Sequence, residues 1–186
     1  NIMVKINIGC GWRNFGSDWI HIDGGDYDHL DHKDITKLEF DDNSVDLIYA
    51  SHVLEYFDIN EAKDLLREWR RVLKPGGELR VAVPNFETMS SLYNTGAISL
   101  EDIIGPLYGR MPMGNKTIYH KTTYDFNILR KLLYELSYDN IKRYNWKEYE
   151  VHQQHDDHSQ AYLNPKGDKD NGTLISLNVT CKKLDN

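Results

Sequence analysis

The sequence predicts an open α/β sheet in which most strands are parallel and an antiparallel pair lies at the end. Three observations support this prediction. An alternating apolar run at residues 4–8 leads directly into a glycine turn. An amphipathic helix near residues 59–73 lies between two apolar runs, which is the pattern of a parallel crossover unit. The chain has 186 residues and 40% hydrophobic side chains, so we expect one domain with its own core over residues 1–186.

The first half of the chain contains the clearest elements. After the strand at residues 4–8, short apolar runs predict strands at 19–22 and 46–50. Asp58 and Glu61 have the spacing of a capping box, and apolar residues then recur at steps of three and four. This pattern predicts a helix that ends at a Lys-Pro-Gly-Gly sequence. The alternation at residues 79–83 predicts the next strand.

The second half of the chain is less regular. Residues 96–121 are rich in glycine and proline, and we expect an irregular segment there with a short helix near 100–107, of the kind that often forms a lid or binding loop. An apolar stripe then predicts a helix at 124–136. The remaining predictions are strands at 141–151 and 173–180, joined by an almost wholly polar loop at 152–171.

Composition excludes several classes of function. The chain carries 22 basic and 29 acidic side chains, a net charge of −7, which argues against nucleic acid as a partner. No apolar stretch is long enough for a membrane helix, and the first residues do not form a secretory signal, so we expect a cytoplasmic protein without a membrane partner. The two cysteines, Cys10 and Cys181, are expected to be reduced thiols and not metal ligands.

The glycine turn Gly9-Cys10-Gly11 follows the first strand, where the backbone can approach a ligand closely. A nicotinamide dinucleotide is disfavoured, because Asn14 stands where its motif requires a third glycine. The segment before residue 19 is also too short for the helix that would hold a pyrophosphate. S-adenosylmethionine has no phosphates, and it needs a carboxylate for its ribose diol. Asp23, at the end of the second predicted strand, meets this need.

Five segments together resemble the class I S-adenosylmethionine-dependent methyltransferases, particularly the small bacterial type. The resemblance extends over residues 5–85, about half of the chain, and the segments follow the order of the family. They read KINIGCG at 5–11, IHID at 20–23, KDI at 33–35, FDDNSVDLIYASHVLEYF at 40–57 and REWRRVLKPGGELRVAVPN at 67–85. The resemblance implies a Rossmann-like open twisted sheet of seven strands, mostly parallel, with an antiparallel C-terminal strand near 173–181 and helices on both faces. It also implies S-adenosyl-L-methionine as the cofactor. Here the helix after the glycine turn is nearly missing, and Arg13 is expected to compensate in holding the methionine carboxylate.

The resemblance also implies roles for individual residues. Gly9, Cys10 and Gly11 would lie under the methionine moiety, and Asp23, followed by Gly24, would bind the ribose hydroxyls. Asp34 and Ile35 would contact the adenine. Ser51, His52 and Leu54 would lie at the methionine end.

Catalysis would consist of in-line displacement of the methyl group, which needs mainly alignment of the reactants. His52 and His120 are the candidate bases, although His52 could equally be a structural histidine. Glu55 could start the next helix or act on substrate, and Tyr119 and Tyr124 could line the same pocket as His120.

The sequence does not decide whether the methyl acceptor is a small molecule, a sugar or a protein side chain. A non-catalytic S-adenosylmethionine-binding module is the alternative. His152, His155 and His158 do not have the step of four residues found in helical zinc pairs, so we expect a polar loop and not a metal site.

Overall fold

The computed structural model describes residues 2–185, and its centre is a six-stranded sheet with the order β2-β1-β3-β4-β10-β7. Strands β1 to β4 are parallel, and β10 is antiparallel to both β4 and β7. This is the predicted Rossmann-like α/β fold. The strands of this sheet are β1 Lys5–Ile8, β2 Ile20–Ile22, β3 Val45–Ser51, β4 Leu73–Pro84, β7 Tyr138–Arg143 and β10 Ser176–Lys183.

The sheet has one strand fewer than the resemblance implied. Where a further strand would follow β2, the described residues form only a single bridge between Ile22 and His32. Residues 23–34 are almost wholly polar or glycine, so they offer no apolar alternation to bury against the sheet. The edge of the sheet is therefore formed by β2 and a loop.

One face of the sheet carries the apolar core. Alternate residues of the central strands point into it, among them Ile6, Ile48 and Val81, all fully buried. Helices α1 (Ile59–Val72) and α4 (Phe126–Glu135) pack on this face. The predicted capping box of α1 is present, since Asp58 accepts a hydrogen bond from the Glu61 backbone and Glu61 accepts one from the Asp58 backbone.

One boundary differs from the prediction, and two elements were not predicted. Strand β4 begins at Leu73, directly after α1, because the Lys-Pro-Gly-Gly segment runs along β3 with a change of register instead of forming a separate turn. Residues 86–121 contain the expected short helix as α3 (Leu100–Tyr108). They also contain two elements that were not predicted, a helix α2 (Phe86–Asn94) and a hairpin of β5 (Met111–Met113) and β6 (Lys116–Ile118).

The other face of the sheet, which we call the polar face, carries Asn7 and Arg80 beside a small apolar cluster and is covered by the segment from Tyr144 to Ala161. The apolar cluster consists of Phe15, Trp19, Leu47 and Tyr49. The strand predicted at 141–151 stops at Arg143, because the Asn145 side chain accepts a hydrogen bond from Lys147 and starts a 3₁₀ turn. Helix α5 (Glu150–Gln154) follows, so the start of the predicted polar loop is helical. The rest contains β8 (Tyr162–Leu163), which pairs with β9 (Thr173–Leu174). No helix among residues 2–185 is long and apolar enough to cross a membrane.

Candidate functional site

Three adjoining cavities lie at the carboxyl ends of the parallel strands. The first has a volume of about 630 Å³ and is bordered by the glycine turn, Asp23, Ser51 and His52. The second, of about 580 Å³, continues from it past Asp34. The third is smaller, about 260 Å³, and shares three residues with the first: His52, Tyr56 and His158. Crevices at this edge of an open α/β sheet are the usual ligand sites.

The glycine turn lines the first cavity in a conformation that favours glycine. Gly9 and Gly11 have φ angles of +69° and +57°. A Cβ at Gly9 would overlap the Val53 side chain, whereas a Cβ at Gly11 would meet no atom within 4 Å. The turn therefore packs closely against the protein on one side and leaves its backbone open to the cavity on the other.

Asp23 closes the opposite side of the turn. One carboxylate oxygen accepts a hydrogen bond from the Gly11 backbone N–H at 3.0 Å, and the other accepts one from the Gly25 backbone N–H at 2.8 Å. Each oxygen retains a further lone pair that can accept another donor. Gly24, beside Asp23, borders both the first and second cavities.

The second cavity is mostly apolar at its far end. Ile35 lines it together with Met113 and Ile118 of the β5–β6 hairpin, which the sequence did not reveal. The exposed Asp34 carboxylate accepts hydrogen bonds from the Thr36 backbone and hydroxyl, and these bonds lower the pKa of Asp34. Tyr119 borders this cavity too, whereas Tyr124 is fully buried in the core.

Two of the sequence-predicted residues have buried side chains. Leu54 is buried in the apolar core, and the preceding residue, Val53, lines the second cavity in its place. The Cys10 thiol is buried under the turn, 3.8 Å from His29, and burial raises its pKa to about 12. A thiol with this pKa is uncharged at neutral pH, so Cys10 contributes to the cavity as a small neutral group.

Residues 155–158, which we call the strap, border the first cavity through Asp157 and His158. Three successive backbone carbonyls of the strap accept hydrogen bonds from side chains expected near the methionine end. These bonds run from Arg13 to Asp156, from Ser51 to Asp157 at 2.8 Å, and from His52 to His158 at 2.9 Å. Sequence reasoning missed the strap because it lies more than 100 residues away from Ser51 and His52, and only the fold brings them together.

A buried carboxylate joins the two candidate bases. Glu55 is fully buried, and its Oε2 lies 2.7 Å from His52 Nδ1 and 4.0 Å from His120 Nε2. His52 also donates through Nε2 to the strap. Burial opposes a charge on the His52 ring, but the Glu55 carboxylate and these hydrogen bonds raise the pKa of His52. Because both ring nitrogens face acceptors, His52 holds two protons in this arrangement.

His120 differs from His52 in its protonation. Its Nδ1 lies 2.9 Å from the Pro106 carbonyl, which can only accept, so the neutral ring carries its proton on Nδ1 and its lone pair on Nε2. Burial lowers the pKa of His120, and the nearby Glu55 carboxylate offsets this only in part. The ring is therefore unprotonated at neutral pH. It borders the third cavity, and its edge meets the Tyr56 ring at 4.6 Å between centroids.

The three histidines of the 152–158 region do not come together. His152 is fully buried on the polar face of the sheet, 3.0 Å from the Arg80 guanidinium, while His158 borders the first cavity. Across residues 2–185, no group of three or more histidine, cysteine or acidic side chains has an arrangement that could hold a metal ion.

The sheet order, the glycine turn and the acidic residue that ends β2 are also the features of class I S-adenosylmethionine-dependent methyltransferases, and the chain is similar to this class in its fold. A family model described as a methyltransferase domain matches residues 20–81. These enzymes use S-adenosylmethionine as the methyl donor.

Solved structures of this class resemble the whole chain. A methyltransferase from Methanosarcina mazei is 18% identical with a TM-score of 0.58, covering 100% of this chain and 95% of its own. A 1,6-didemethyltoxoflavin-N1-methyltransferase from Burkholderia thailandensis is 12% identical with a TM-score of 0.55, covering 98% of this chain and 71% of its own. A search of curated proteins found no significant match.

Proposed function

We propose that this protein transfers the methyl group of S-adenosylmethionine to a small-molecule acceptor. The observation that supports the proposal is that the first cavity, which is large, and the third cavity, which is small, share His52 and Tyr56 as lining residues. The large cavity has the volume and the polar groups for a cofactor, and the small one has room for a second reactant. In-line transfer needs two such sites side by side.

The residues present fit the cofactor. The open backbone at Gly11 leaves room for the methionine end beside Cys10 and Gly9, and the Asp23 carboxylate, followed by Gly24, can accept from the ribose diol. Asp34 and Ile35 border the cavity proposed for the adenine, and Ser51 and His52 border the methionine end. Leu54 supports this wall from the core.

The chain's own residues supply alignment and shielding. When bound, S-adenosylmethionine supplies a methyl group on a cationic sulfur. Its cavity is lined by the carboxylates of Asp23, Asp26 and Asp157 and by the cations of Arg13 and Lys33, which suits a cofactor that carries both a cationic sulfur and a carboxylate. The strap and the hairpin of β5 and β6 cover the cavity from two sides and reduce the access of water to the reacting groups.

A small acceptor suits the third cavity better than a sugar polymer or a protein side chain does. Its volume is about 260 Å³, and its walls are mostly apolar. The Burkholderia protein of the same fold binds the small molecule 1,6-didemethyltoxoflavin together with S-adenosylhomocysteine. The net charge of −7 disfavours nucleic acid as the acceptor.

Calorimetric titration with S-adenosylhomocysteine tests the cofactor assignment, and a thermal shift checks it independently. A ligand at one hundred times its dissociation constant raises the free energy of unfolding by about 2.7 kcal/mol. Absence of both signals would refute the proposal. Binding without release of S-adenosylhomocysteine from S-adenosylmethionine, across panels of small hydroxyl, amine and thiol acceptors, would instead support the non-catalytic module.

A further inference from the structure

Three side chains at one end of the first cavity donate hydrogen bonds to the strap. Arg13, Ser51 and His52 border this cavity, and they bind the backbone carbonyls of residues 156–158. The Ser51 hydroxyl has a single proton, and His52 Nε2 also has a single proton. Neither group can therefore donate to a ligand while it donates to the strap.

The backbone of the glycine turn has few donors left for this end of the cavity. The Gly9 N–H donates to a carbonyl of β2 at 2.7 Å, and the Gly11 N–H donates to Asp23 at 3.0 Å. The Arg13 N–H donates to the Cys10 carbonyl at 3.2 Å, within the turn itself. A carboxylate that leaves water needs hydrogen bonds in its new surroundings. The methionine carboxylate of a bound cofactor would therefore need the side-chain donors that the strap holds.

Replacement of the strap by a carboxylate is favourable at these donors. A hydrogen bond to a charged acceptor is about twice as strong as one to a neutral carbonyl. The His158 carbonyl also accepts a hydrogen bond from the Ser176 hydroxyl, so it keeps a partner when His52 leaves it. The carbonyl of Asp156 meets Arg13 at an exposed position, where water can replace the guanidinium. Release of the strap therefore leaves neither of these carbonyls buried without a partner.

We propose that the strap is an autoinhibitory segment, because its carbonyls occupy the donors that the methionine carboxylate of the cofactor needs. When the cofactor binds, Arg13, Ser51 and His52 release the strap and donate to that carboxylate instead. This inference rests on the proposed function. The released strap stays attached to α5 and to β8 and remains an outer wall of the cavity. The apparent dissociation constant of the cofactor rises as the fraction of molecules with a released strap falls.

Gln160 holds the strap without bordering any of the three cavities, so its replacement tests the proposal. The Gln160 amide donates to the carbonyls of His152 and His155. Gln160→Ala should loosen the strap and lower the dissociation constant of S-adenosylhomocysteine, measured by calorimetry, at least threefold. The matched control is Gln154→Ala, at an exposed residue whose side chain donates to Glu150 of the same helix, and it should bind like the wild type.

A ligand without the amino-acid end separates release of the strap from a general effect on the cavity. The probe is 5′-methylthioadenosine, which has the nucleoside and the sulfur of S-adenosylhomocysteine but no carboxylate. Its dissociation constant should change less than twofold in Gln160→Ala. In the wild type, amide hydrogen exchange of residues 155–159 should become at least threefold faster with saturating S-adenosylhomocysteine, and it should stay unchanged with 5′-methylthioadenosine.

The outcomes distinguish this inference from the proposed function. Failure of the wild type to bind S-adenosylhomocysteine refutes the proposed function itself. If S-adenosylhomocysteine binds but exchange in the strap becomes slower or stays the same, the strap is not displaced and the inference is wrong. A dissociation constant for Gln160→Ala that equals or exceeds the wild-type value would show that the strap does not oppose binding. Circular dichroism melts check that the variants are folded, and the exchange measurement on the wild type decides the question if Gln160→Ala is not.

Discussion

Replacement of Asp23 by asparagine is the sharpest test of the cofactor cavity. Each carboxylate oxygen of Asp23 has its own backbone N–H donor, from Gly11 at 3.0 Å and from Gly25 at 2.8 Å. An asparagine amide has only one oxygen, and its NH₂ group would face the other N–H. Asp23→Asn therefore breaks one of the two hydrogen bonds that hold the turn, even before the ribose diol is considered.

The magnitude follows from the kind of bond that is lost. A hydrogen bond to a charged group contributes about 1.5–3 kcal/mol. This bond keeps the turn in the conformation that faces the cavity. Without the bond, part of the free energy of ligand binding is used to restore that conformation. Since about 1.4 kcal/mol corresponds to a tenfold change in affinity, the dissociation constant of S-adenosylhomocysteine should rise roughly 10- to 150-fold.

Calorimetric titration of the two proteins at neutral pH measures this change. Asp28→Asn, at an exposed aspartate on the loop that follows β2, removes the same charge and should bind S-adenosylhomocysteine like the wild type. Circular dichroism melts check that both variants are folded. A dissociation constant for Asp23→Asn within threefold of the wild-type value would refute the role assigned to Asp23.

Three further predictions concern the core, the polar face and the third cavity. Leu66→Ala, at a fully buried residue of α1, should lower the free energy of unfolding in urea by about 2–5 kcal/mol, whereas Ile128→Ala, at a half-exposed residue of α4, should change it far less; equal effects would contradict the assigned core. Burial and then the Arg80 charge lower the pKa of His152 from 6.5 to about 4, so the unfolded state takes up a proton first as the pH falls. The free energy of unfolding should therefore decrease from pH 6.5 to 4, with a smaller decrease in His152→Gln; identical slopes would show that His152 does not contribute. Gly109→Ala puts a Cβ at a φ of +55° onto the His120 imidazole, so it should lower Tm while binding of S-adenosylhomocysteine is retained, and an unchanged Tm would contradict the position of His120.

Local patterns predicted the framework because they are enforced by local physics. The capping box at Asp58 and the apolar stripe after it define α1 without reference to the rest of the chain. The glycine turn after β1 likewise needs only its own backbone angles. By contrast, residues 144–151 carry the aromatic and β-branched side chains that are typical of a strand, yet they form the cover of a sheet face, and only tertiary packing decides between the two.

The candidate site was predictable to the extent that its residues follow strands. Asp23 and Ser51 stand at strand ends and so reach the same edge of the sheet. The different protonation of His52 and His120 was not predictable, because it depends on two carbonyls, those of His158 and Pro106, from distant segments. Nothing in the sequence signals which carbonyl a histidine will meet.

The unequal faces of the sheet also determine how the molecule opens. One face of β1, β3 and β4 is sealed by the main apolar core, whereas the other carries Asn7, Tyr49 and Arg80 under the cover of residues 144–161. Lifting this cover exposes only the smaller apolar cluster around Tyr49, so it requires less free energy than separating α1 from the main core. Amide protons of α5 should therefore exchange with solvent through local opening, and those of β3 only when the whole protein unfolds. Because the strap belongs to this cover, local opening of the cover also exposes the first cavity.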